Sequence, residues 1–138
     1  MSEEFFRRMF LLAALWNFAA ALGGLLSYEM QFKLTFGEEA YTGDFHQALL
    51  YRSFCLSVLL FGVGYYFVSR DTSQNRGIVW LGAAGKILVF VFFTEAFIND
   101  NSTAIAWWVS FGDVLWTVLF FWFLYQTKDK VRVSNFVG

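Results

Sequence analysis

GIVWLGAAGKILVFVFFTEAFI, residues 77–98, is the stretch on which the fold turns. A helix needs roughly 20 apolar residues to cross a hydrocarbon core of ~30 Å, and this run meets that length with only Lys86 and Glu95 as charges. Runs of the same character cover about residues 9–28, 48–69 and 104–126. Lipid offers no hydrogen-bond partner to bare backbone, so such runs form helices that close on one another. The expected fold is all-α: a polytopic membrane protein, one domain over residues 1–138, built as an antiparallel bundle of four transmembrane helices.

Composition agrees. The chain is 58% hydrophobic and 15% charged, with nineteen Phe and six Trp, whereas soluble domains carry about 25% charged residues. Arg7 and Arg8 ahead of the first run, with small residues after it, imitate a signal peptide. Glu3 and Glu4 acidify its leading segment, so the run is read as a true span. No proline marks a kink.

Basic residues set the expected orientation. Arg7, Arg8, Arg70, Arg76, Lys128, Lys130 and Arg132 fall on one side and make up seven of the ten Lys and Arg. The opposite loops hold Lys33 against Glu29, Glu38, Glu39, Asp44 and Asp100. Both termini are therefore expected in the cytoplasm, with the protein integral to a plasma or inner membrane. Short connections predict that the second, third and fourth spans pack antiparallel in series. The longer first loop contains residues 31–36, QFKLTF, whose alternation suits a short strand or an interfacial segment ended by a turn at Gly37.

Charges at mid-bilayer cost ~2.5–3.5 kcal/mol each and tend to be paired. Lys86 lies nine residues into the third run and Asp113 nine into the fourth, entering from opposite faces. At 1.5 Å per residue both sit ~14 Å deep, and Asn17 falls at nearly the same level. A central cluster of Lys86, Asp113 and Asn17 is expected. Ser110, Asp113 and Thr117 share a helix face at i, i+3 and i+7, and small residues on each span let the helices approach. Nearer the opposite face, Arg52 and Glu95 share a level and could bridge, but Glu95 points away from Lys86 on an ideal helix, and snorkelling of both to the interface is the favoured reading.

Several chemistries are excluded. One histidine, His46, and one cysteine, Cys55, give no catalytic triad, internal disulfide or bis-histidine haem site, and no metal-ligand spacing is present. Residues 82–86, GAAGK, lack the spacing of a phosphate loop. There is no basic patch for nucleic acid. No catalytic residue and no cofactor is expected. Two functional classes lead, and a membrane enzyme acting on lipid comes third for want of a nucleophile, metal or acid–base set. In one, the cluster binds or transports a small ligand, a proton or a lipid headgroup. In the other, the chain is a non-catalytic structural or accessory subunit, a homo-oligomer or one part of a membrane complex, and the ion pair fixes helix register.

Overall fold

The computed structural model describes residues 2–130, so Arg132 lies outside the described residues. Among the described residues there are five helices: α1 (Glu3–Leu26), α2 (Tyr28–Phe36), α3 (Phe45–Arg70), α4 (Arg76–Ile98) and α5 (Ala104–Gln126), with single 3-10 turns at Glu38–Ala40 and Lys128–Lys130. All but α2 are long and apolar enough to span a membrane, and large apolar side chains cover their outer surfaces, among them Leu12, Leu60, Leu81 and Val118. The protein is an all-helical membrane bundle.

Helix starts follow from caps. Ser2, Asp44 and Thr103 each accept a backbone N–H from the first turn of the helix that follows, satisfying donors that have no intrahelical partner. Ser2 thereby starts α1 at Glu3, ahead of the apolar run itself. The Thr42 hydroxyl and the Gln47 N–H hold the Asp44 carboxyl below its ordinary range. In the α3–α4 turn the Ser73 hydroxyl and N–H do the same for Asp71.

Of the two expectations for the segment after α1, the strand is corrected and the interfacial segment is left: residues 28–36 are helical. A lone strand at a membrane face would leave its backbone unpaired, whereas helix places Glu29 2.8 Å from Lys33 and packs the Phe32 ring, tilted, against Phe36 at 4.8 Å between centroids. Gly37, at φ 97°, ends it. The last carbonyls of α2 are met by the cap of α5: Thr103 Oγ1 donates to Leu34 O at 2.7 Å and Thr103 N to Thr35 O at 2.9 Å. Phe36 stacks on Phe93 of α4. These contacts lay α2 as a roof across the end of the bundle opposite the N-terminus.

The packing order also differs from a simple series. α1 packs mainly on α3, and α4 mainly on α5, while α3 and α4 share little contact despite their short turn. That contact includes Gly64 against Ile78 and Gly82 against Tyr65. The bundle is thus two helix pairs. Near the N-terminal face they are joined by aromatic packing: Phe10 stacks on Phe120 at 5.2 Å and meets Phe123 edge-on at 4.8 Å, and Tyr65 meets Phe120 at 5.0 Å.

An arginine ties each pair at that face. Arg7 Nε donates to Ser69 O of α3 at 3.1 Å. Arg76, the first residue of α4, donates from Nη2 to Leu124 O of α5 at 3.0 Å and from Nη1 to Thr127 Oγ1. Each guanidinium meets carbonyls that end the neighbouring helix, where a cation is favoured. Hydrogen bonds to charged groups are worth ~1.5–3 kcal/mol, so Arg76→Gln is expected to destabilise by about 2 kcal/mol. Thermal unfolding of detergent-solubilised protein reads this, and a midpoint equal to wild type would remove Arg76 as a tie.

Candidate functional site

Lys86 Nζ lies 2.7 Å from Asp113 Oδ1 and donates to Asn17 Oδ1 at 3.0 Å. Lys86 and Asn17 are only 8% and 4% exposed. Asn17 is held in turn by Nδ2, which donates to Val58 O on α3 at 3.0 Å. Gly62, one helical turn beyond Val58, makes this approach possible. A Cβ there would come within 2.8 Å of the Phe18 ring and 3.1 Å of Asn17 Cβ.

Asp113 Oδ1 receives a second hydrogen bond, from Trp16 Nε1 at 3.3 Å. Gly112 admits that indole, since a Cβ there would lie 2.6 Å from it. Tyr65 lies against Gly82, where any Cβ would overlap its hydroxyl, and its ring is 5.8 Å from Lys86 Nζ. Every spanning helix therefore contributes to one polar layer.

The other expected residues separate into distinct roles. Thr117 Oγ1 donates to Asp113 O at 2.9 Å and reaches Ala83 O at 3.3 Å, tying α5 to α4 below the ion pair. Ser110 is buried on the same face but donates to Trp107 O of its own helix at 2.7 Å. Arg52 and Glu95 are not brought together. Both are exposed, and no ion pair joins them among the described residues, because α3 and α4 make little contact away from their turn.

Above the ion pair, on the α2 side, lies a cavity of about 300 Å³. Lys86, Asp113, Asn17 and Tyr65 form its floor, and Gln31, Leu34 and Thr35 of α2 its roof. Its walls are predominantly apolar. Phe54 and Ser57 on α3 with Leu81 and Gly85 on α4, and Trp16 and Ala20 on α1 with Ile105 and Val109 on α5, line the cavity and are also exposed, so it opens sideways between α3 and α4 and between α1 and α5. Its closed end meets the aromatic layer, where Phe10, Phe120 and Phe123 are all 0% exposed.

Sequence reasoning passed over Trp16 and Tyr65. A signal was present for Trp16: it lies well inside its span, where an indole N–H has no interfacial water to bond and needs an internal partner, whereas Tyr65, about one turn from the end of α3, carried none. Cys55, buried against Gly24, serves packing.

Comparison with protein-family models, with curated proteins and with solved structures gives no match to this chain.

Proposed function

We propose that this protein binds a small, largely apolar molecule within the bilayer, with the polar part of that molecule at Lys86 and Asp113. The observation that carries the reading is the cavity whose floor is the ion pair. A pair that served helix register alone would need no free volume beside it. Near the N-terminal face the protein does seal its interior, with the Phe10–Phe120 stack. Ligand sites are typically concave, mostly apolar, and polar at a few convergent points, and this cavity fits that description at the small end of the size range.

The sideways openings let a molecule arrive from the lipid, and the aromatic layer beneath the floor favours binding over passage through an open pore. The two arginine ties and the other basic residues of the N-terminal face support a cytoplasmic position for that face.

Gly85 supplies the test. A Cβ there meets nothing within 4 Å, and glycine inside a helix costs ~0.8–1 kcal/mol relative to alanine. Gly85→Phe should fold at least as well as wild type while filling the α3–α4 opening and the cavity space beside Lys86. Native mass spectrometry of gently extracted protein should show a reproducible small adduct on wild type and its loss in Gly85→Phe. No adduct on wild type, or one that survives the substitution, would overturn the reading.

A further inference from the structure

Resting on the binding site proposed above, we infer that its ligand is an uncharged amphiphile: an alkyl or similarly apolar body bearing a hydroxyl or carboxamide head. Three polar groups on the cavity floor decide the class. The Lys86 ammonium has three N–H donors, of which two are used, by Asp113 and Asn17. Asp113 Oδ1 takes both bonds from Lys86 and Trp16, leaving Oδ2 without a hydrogen bond among the described residues. Tyr65 is 1% exposed, lines the cavity, and its hydroxyl has no hydrogen-bond partner among the described residues.

The floor therefore presents an open donor, an open acceptor and a hydroxyl that does both. Its formal charge is zero, since Lys86 and Asp113 balance. A carboxylate or phosphate head drawn to Lys86 would bring its charge against Asp113, and an ammonium drawn to Asp113 would face Lys86. Either adds an unbalanced charge in a low-dielectric site. A plain hydrocarbon would occupy the space but leave all three polar groups unmatched. A hydroxyl or carboxamide donates to Asp113 Oδ2 and accepts from Lys86 without adding charge. Its body would lie along Phe61, Val89, Phe93, Ile105 and Val109.

The test uses the full chain in lipid nanodiscs with a diazirine-bearing octanol, and labelled residues are mapped by peptide mass spectrometry. Labelling should fall on the cavity wall, around Val89, Phe93 and Val109. Octanol and octanamide should displace the label at a bilayer mole fraction at least about tenfold lower than octanoate or octylammonium, the factor that one lost charged hydrogen bond corresponds to. If octanoate or octylammonium competes as well as octanol, the class is wrong and the site stands. If the probe labels no wall residue, the binding reading falls, and this inference with it.

Discussion

Lys86→Met is expected to destabilise the protein by ~3–5 kcal/mol, the range for a buried ion pair that loses one partner. Asp113 is left at mid-bilayer with Trp16 Nε1 as its remaining side-chain donor, and Asn17 Oδ1 loses the ammonium it accepted from. The decisive comparison is with Lys86→Met/Asp113→Leu. Replacing both members of a buried pair by apolar groups is often neutral or stabilising, so the double variant should recover most of the loss. Unfolding of the three proteins in a mixed-micelle denaturant titration reads both numbers. Equal stability of the single and double variants would mean that the penalty comes from lost packing of the lysine stem rather than from an orphaned carboxylate. The two functional classes predict the same stabilities and part on ligand: the binding reading requires that the double variant, although folded, lose its preference for a polar head.

Phe10→Ala is expected to cost about 3 kcal/mol, the lower end of the range for truncating a buried phenylalanine. The reason for the lower end is the solvent. Lipid is as apolar as the core, so the transfer component largely cancels, and lost dispersion contacts and the residual cavity remain. Phe10 touches both Phe120 and Phe123 across the two helix pairs, so its removal loosens the layer that joins them. Leu12, two residues along and 59% exposed, is the control. Leu12→Ala should stay within about 0.5 kcal/mol of wild type, and similar losses at the two positions would contradict the assignment of Phe10 to the joining layer.

The four spanning helices were legible because bilayer thickness acts directly on sequence: a run that must cross lipid has to be long, apolar and helical, and residues 77–98 satisfy all three conditions. The meeting of Lys86, Asp113 and Asn17 could be expected from depth alone, since residues at equal depth on closed helices have few other partners. What depth does not encode is azimuth. Arg52 and Glu95 also share a level, yet α3 and α4 diverge and leave them apart. The strand alternative for the α2 segment fails for a different reason. Its alternation fits period two, but Tyr28, Phe32 and Phe36 fit a helical spacing equally, and only the demand for satisfied backbone at the end of the bundle chooses between them. The cavity was invisible for the same reason as the helix order: it is a gap between elements, fixed by how far α3 leans from α4, and no single run of residues records that angle.

The placement of the ion pair also orders events during biosynthesis. Asp113 is made 27 residues after Lys86, so the lysine on α4 reaches the translocation channel before its counter-ion has left the ribosome. At that moment the side chain that accepts from it in the folded protein and is already in the bilayer is Asn17 on α1. A solitary lysine entering lipid faces ~2.5–3.5 kcal/mol, which a single amide offsets only in part. α4 is thereby favoured to wait at the channel and to partition together with α5 as a hairpin. Asp113→Asn should then show its first defect as failed membrane integration of α4, ahead of any effect on the finished protein.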